Sequence, residues 1–425
     1  MDKALVLLWL VGRASAVVVD LEAAGGVAES ASRSACWSNG GVLNTTLAAL
    51  EPGDTLVIPN KTFFVLPALA SNLSDVIIRV DGTLKFCSYM QLEWPRTSDG
   101  SVLECLKFSN VRNVTFTSSG TGGVIDGQGK FWWGVPGIGY LVREENRPRL
   151  LKLENAVDVL FERILLHQSP YWTFTAEGVD GLEIRYATIN NRRDPDATDH
   201  NLIELTAFNT DGFDVSGSNV WIHDSVIWCQ DDTVAVKDGS ENMVFERLEA
   251  SGVGVTIGSI AGSTVRNITF RNIYMNHTYK GIYMKFRGDD GIIEDVTYEN
   301  IVIDSPSQWP IWIGPAQQSD SRRLCAAHPC SICWPTTGEC DAPLSVYSNI
   351  LLKNITVLNP SMSAGVILAN ASTPMVNVTF QDVTVQNPAD EPWGDAQYYC
   401  SGVASGTATG KTWPVPPCFG DQTTH

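Results

Sequence analysis

A four-residue signature, a glycine or short polar residue followed by apolar, any, apolar, recurs along this chain and limits its fold more than any other feature. It reads Asn113-Val114-Thr115-Phe116, Asp158-Val159-Leu160-Phe161, Gly181-Leu182-Glu183-Ile184, Asn219-Val220-Trp221-Ile222 and Asn242-Met243-Val244-Phe245. It continues as Asn267-Ile268-Thr269-Phe270, Asp295-Val296-Thr297-Tyr298, Asn349-Ile350-Leu351-Leu352 and Asn377-Val378-Thr379-Phe380. The commonest separations lie in the low to high twenties, and longer gaps leave room for inserted loops. Apolar residues two apart share one face of a strand, and a lone strand cannot bury that face. Stacked coils can, so the pattern predicts an all-β chain, a right-handed parallel β-helix in a single domain. Leucine-rich repeats share the period but would show a helix and a Leu-rich consensus in each copy. A β-propeller needs a longer period with four strands per blade.

The rest of the chain is placed around this repeat. Residues 1–16 read as an export signal, with Lys3, an apolar run from Ala4 to Val11 that is too short to span a bilayer, and Ala14-Ser15-Ala16 as a cleavage site. The β-helix domain is then expected over 17–425. It starts with a cap in which Thr45 to Leu50 form part of a short helix, followed by strands at Thr55–Pro59 and Val76–Val80. A long interruption from about 305 to 343 carries Cys325, Cys330, Cys333 and Cys340. Cys330 and Cys333 have metal-ligand spacing, but in an exported chain disulfides stapling a loop are the expectation. The segment after Asn387, with Cys400 and Cys418, is expected to lie over the outside of the coil. Nine Asn-X-Ser/Thr acceptors, at Asn44, Asn60, Asn72, Asn113, Asn267, Asn276, Asn354, Asn370 and Asn377, fit a secreted glycoprotein. A net charge of -18 argues against nucleic acid and anionic membrane surfaces as partners.

Chemistry concentrates in two clusters, Asn209-Thr210-Asp211-Gly212-Phe213-Asp214 and Cys229-Gln230-Asp231-Asp232. Their separation is close to one coil, so they should stack on neighbouring rungs and bring Asp211, Asp231 and Asp232 together. Convergent carboxylates suit acid and base work on a glycosidic bond. Asp is also a common turn residue. Adjacent strand residues point to opposite faces, so Asp231 and Asp232 share a groove only if the chain bends there.

These clusters, together with Gly254-Val255-Thr256-Ile257-Gly258-Ser259, resemble ordered motifs of glycoside hydrolase family 28, the pectin-degrading polygalacturonase and rhamnogalacturonase family. The resemblance extends from about Gly122-Gly123-Val124-Ile125-Asp126-Gly127 to the last repeats. It implies inverting hydrolysis, with Asp231 as general acid and Asp211 and Asp232 as the pair that activates water. Asp214 is expected to be structural or a partner of that pair. Where the family carries Gly-His-Gly this chain reads Gly252-Val253-Gly254, and where it carries Arg-Ile-Lys this chain reads Tyr283-Met284-Lys285. Lys285 would remain as a carboxylate ligand, with Arg287 two residues on along the same strand face. Tyr283 would offer a stacking face suited to a neutral or deoxy sugar, and Lys237 could reach a carboxylate in the groove. Trp309, Trp312 and Tyr279 are candidate sugar platforms, and His223 reads as a packed residue.

The expectation is therefore a monomeric, secreted hydrolase of an acidic wall polysaccharide, with no metal or other cofactor. Rhamnogalacturonan- or rhamnose-directed hydrolysis is the alternative within the family. A polysaccharide lyase would need Ca²⁺ and a basic residue, and the paired carboxylates in hydrolase order argue against it. The other rival is a non-catalytic carbohydrate-binding protein.

Overall fold

The computed structural model describes residues 15–120, 122–134, 146–193, 207–317 and 342–420. Its strands pair in parallel, each with its counterpart one coil away, and together form a right-handed parallel β-helix. The signature explains the coil. Its first residue takes the left-handed backbone conformation in every copy, with φ from 49° at Asn113 to 58° at Asn219 for the Asn and Asp copies and 77° at Gly181. Asn, Asp and Gly tolerate that region, so this residue turns the chain at the corner.

The two apolar residues of the signature then point inward. Val220, Met243, Ile268, Val296, Ile350 and Val378 fall in register on successive coils, as do Ile222, Phe245, Phe270, Tyr298, Leu352 and Phe380. Phe245 stacks on Phe270 at 4.7 Å, and Phe270 on Tyr298 at 4.8 Å. Such pairs add about 1 kcal/mol beyond the apolar area they bury. The corner asparagines stack as well. Asn267 donates its side-chain amide to Asn242 Oδ1 at 2.8 Å, and Asn377 donates to Asn349 Oδ1 at 2.9 Å.

The helix Arg33–Ala48 closes the first coil, with Ser32 Oγ accepting from the Ala35 amide. It is longer than the expected fragment because its Ser-, Asn- and Gly-rich start reads as loop. Asn39 inside it is buried and hydrogen-bonds the backbones of Val27 and Phe64. Cys36 is bonded to Cys87, tying this cap to the early coils.

Within the interruption after Ser305 the apolar run at 310–313 reads as a strand, and it is the coil strand Ile311–Pro315, paired with Ile282–Phe286 and Gly365–Leu368. One expectation about the later chain needs correction. The segment after Asn387 adds the strands Tyr398–Ser401 and Gly406–Thr409 to the stack, and Cys400 is bonded to Cys418. Its Gly and Thr content concealed strands that extend an existing sheet. Cys325, Cys330, Cys333 and Cys340, and nearly all of the export signal, lie outside the described residues. No helix of the described residues is long and apolar enough to cross a membrane.

Candidate active site

The three aspartates project from one face of the coil, where the strands Phe213–Trp228 and Val234–Val236 are joined by a bend over 229–233. That bend lets Asp231 and Asp232 face the same way. It is held from the next coil: the Val253 amide donates to Asp231 C=O at 2.7 Å, and Cys229 Sγ lies 3.2 Å from the same oxygen. Gly252 is required below it, since a Cβ there would stand 2.6 Å from that carbonyl and 2.7 Å from Cys229 Sγ.

One oxygen of each of Asp211, Asp231 and Asp232 lies within 4.8 Å of those of the other two. This is tighter than the roughly 6.5–9.5 Å expected between the carboxyls of an inverting pair. It suits a single water shared by two carboxylates, since two hydrogen bonds of about 2.8 Å reach about 5.6 Å at most. Asp231 accepts from the Asn209 backbone and side-chain amides at 3.2 and 3.1 Å and from the Asp232 amide at 2.8 Å. Asp232 accepts from Thr256 Oγ1 at 2.7 Å and from Lys285 Nζ at 2.8 Å. Asp211 Oδ1 is buried without a hydrogen-bond partner in the structure. Lys237 Nζ stands 2.8 Å from Asp214 Oδ1, beneath the cluster.

Four carboxyls and two ammonium groups in one buried site cannot all be ionised without cost. Burial, reinforced by Asp232 and opposed by Lys285, pushes Asp231 up to about 7. Burial also raises Asp211 well above the usual carboxylate range, with Asp214 and Asp231 adding to it. For Lys285, burial disfavours the ammonium, but Asp232, Tyr283 and Asp231 together outweigh it and hold the amine charged. Asp231 and Asp211 are thus biased towards the protonated form, while Asp232 is bonded to the Lys285 ammonium and Thr256, so the site offers both a proton donor and a proton acceptor.

A cavity of about 510 Å³ opens over these groups. Asp211, Asp214, Asp231, Asp232, Lys237, Lys285 and Arg287 all line it. Arg287 is exposed and makes no ion pair among the described residues, so its guanidinium is uncommitted. Tyr283 is not in the lining. It is 3% exposed, its ring meets Trp312 edge-on at 5.9 Å, and its hydroxyl accepts from the Gln317 amide at 2.8 Å. Trp309 and Trp312 are fully buried, and Tyr279 packs against the same cluster. His223 is likewise buried away from the cavity, stacked on Trp221 at 3.8 Å and bonded to Asp224.

The sequence reading missed Tyr171 and Trp172, which line the cavity and stack at 5.1 Å with an interplanar angle of 12°. Trp172 is partly exposed, and the Arg149 guanidinium and Lys237 Nζ lie over its ring at 4.6 and 5.0 Å. The only signal of Tyr171 and Trp172 was Ser169-Pro170 breaking the strand pattern just before them. Asn209 and Thr256 were inside the quoted motifs, but nothing in one sequence marks them as the partners of Asp231 and Asp232.

The profile of Glycosyl hydrolases family 28 matches residues 53–409. An endopolygalacturonase of Emericella nidulans is 29% identical over 61% of this chain and 62% of its own length. A protein of Aspergillus flavus named "Probable rhamnogalacturonase E" is 28% identical over 52% of this chain and 51% of its own length. The matches thus span between half and two thirds of these relatives. The polygalacturonase of Erwinia carotovora has the same fold, with a TM-score of 0.67 at 20% identity over 93% of this chain and 96% of its own.

Proposed function

The chain belongs to glycosyl hydrolases family 28, and from that premise we propose that it hydrolyses glycosidic bonds in a pectic polysaccharide. The observation that carries this reading is the meeting of Asp211, Asp231 and Asp232 in one cavity with Lys285 and an uncommitted Arg287. Asp231, held near neutrality, protonates the departing glycosidic oxygen. Asp211 and Asp232 hold the water, and Asp232, bonded to Lys285 Nζ and Thr256 Oγ1, accepts its proton. Arg287 offers a fork for a uronate carboxylate, and Lys285 and Lys237 keep the aspartates from repelling one another. The three carboxylates stand close enough to bracket a cation, but Lys285 and Lys237 already supply compensating positive charge, so calcium-dependent elimination has less support here. Inversion at the anomeric carbon, implied by the family resemblance, is part of the proposal despite the tight spacing. Proton NMR of the first product formed reads the anomer directly, and a retained anomer overturns it.

Secretion and glycosylation belong to the same proposal. Two disulfides support an oxidising compartment, and the acceptors Asn60 and Asn276 lie on the surface or partly exposed. The functional test is reducing-end release from polygalacturonan, rhamnogalacturonan, xylogalacturonan and neutral glucans, with Asp231→Asn alongside. Release from a pectic polymer that disappears in the variant is the expected result. Release that persists in the variant removes Asp231 as the acid, and ultraviolet-absorbing ends would identify a lyase.

A further inference from the structure

Outward-facing residues of the strands that carry the aspartates fall in register from coil to coil, and their character changes at the site. Before it stand Lys107, Lys152 and Thr175, and after it Tyr283, Trp312 and Val366. The lysine side chains keep 31% and 12% of their surface in solvent, whereas Trp312 and Val366 keep none. On a β-helix these outward positions form the floor of a groove. Beyond the aspartates that floor is covered.

The cover is a second apolar core, separate from the one inside the coil. Trp309 packs on Trp312 at 5.4 Å and on Trp393 at 6.2 Å, and Trp393 packs on Tyr399 at 4.9 Å. Gln317 stands at its edge and also lines the cavity. It is pinned by the Tyr283 hydroxyl at 2.8 Å and by Lys280, whose buried amine donates to Gln317 Oε1 and Gln308 Oε1 at 2.7 Å each. Three aromatic rings, Tyr279, Tyr283 and Trp312, surround that amine at 4.8 to 5.4 Å. A long flexible side chain fixed in this way makes a wall, not a mobile rim.

The geometry points to a groove that is blind on the side of the later coils, so that the enzyme cuts at a chain end and releases one short fragment per event. Trp309, Trp312 and Trp393 are then specificity-determining residues. This rests on the hydrolase reading above. Each cut breaks one glycosidic bond, water giving its hydroxyl to the anomeric carbon and a proton to the leaving oxygen, and only the length of the leaving piece is at issue.

The test follows products on whichever pectic polymer the panel shows to be cleaved. A single short product from the earliest times, with reducing ends accumulating while viscosity hardly falls, is expected. A ladder of mixed lengths with an early collapse of viscosity overturns the inference while leaving the hydrolase reading intact. Release from no polymer overturns the hydrolase reading and this inference with it. Oligosaccharides labelled at one end or the other show which end is cut. Trp393→Ala, with its fold checked by circular dichroism, should open the wall and lengthen the products. An unchanged product pattern in the folded variant would show that the aromatic wall does not set their length.

Discussion

Replacing Asp231 by Asn tests the electrostatics of the site through stability as well as turnover. In the unfolded chain Asp231 should titrate near its ordinary 3.8, whereas burial and Asp232 push it up to about 7 in the fold. The folded state therefore binds the proton more tightly, and the stability that this confers is complete below the unfolded value and is lost as pH rises towards the folded one. Three units at about 1.36 kcal/mol each give a full loss on the order of 4 kcal/mol, and the part falling between about pH 5 and about pH 8 is roughly 2 to 3 kcal/mol. The amide cannot ionise, so the variant should lose that much less on the alkaline side. Its absolute stability is the wrong quantity to read. Asp231 accepts hydrogen bonds at both oxygens, from Asn209 and from the Asp232 amide, and Asn must turn a donor towards one of them at a cost of about 1 to 3 kcal/mol. Denaturant unfolding of both proteins at the two pH values isolates the slope. Parallel slopes for wild type and variant would refute the claim that Asp231 is the buried proton carrier. Loss of turnover with polymer binding retained is expected beside the altered slope.

Other outcomes follow from the same geometry. Because the acid must be protonated, kcat/KM for the cleaved polymer should fall above about pH 7, approaching tenfold per unit, and a profile flat to pH 9 would contradict the assignment of the acid. Arg287→Ala removes an exposed, unpaired guanidinium, so it should raise KM for an acidic polymer at least several-fold with little change in kcat and no change in melting temperature. Asn267 sits at φ 53° and donates to Asn242, so Asn267→Ala should cost about 2 kcal/mol in denaturant unfolding and Asn267→Gly about 1 kcal/mol, glycine being free of the backbone penalty. Equal costs for the two would show that the corner is not strained for a residue with a Cβ.

The coil was legible because one short signature sets both of its requirements. In Asn267-Ile268-Thr269-Phe270 the first residue makes the left-handed corner and the second and fourth are buried. The carboxylates were legible from motif order and from their one-coil separation. What the sequence concealed were features that depend on neighbours distant along the chain. Tyr283 lies on the outward face, as a sugar platform would, but the Trp309 and Trp312 cluster covers it. Lys237 lines the cavity, and only the fold shows that its amine is also paired with Asp214. Lys280 attracts no notice in Tyr279-Lys280-Gly281, and only the fold places its amine among aromatic rings and pushes it down to about 7, by burial and by the charge of Lys285. Strand alternation gives the side of the sheet, not what lies against it.

A stack of coils has ends, and an end coil is gripped by one neighbour where an inner coil is gripped by two. Fraying should therefore begin at the two extremities. The two described disulfides stand there: Cys36–Cys87 fastens the capping helix to the opening coils, and Cys400–Cys418 fastens the closing strands to the segment that follows them. The aspartate-bearing coils lie between, where Cys229 remains a buried free thiol and ladders of asparagine and aromatic rings provide the cohesion. In a reducing milieu the molecule should peel inwards from its tips, and the central coils should hold their shape after both extremities have loosened.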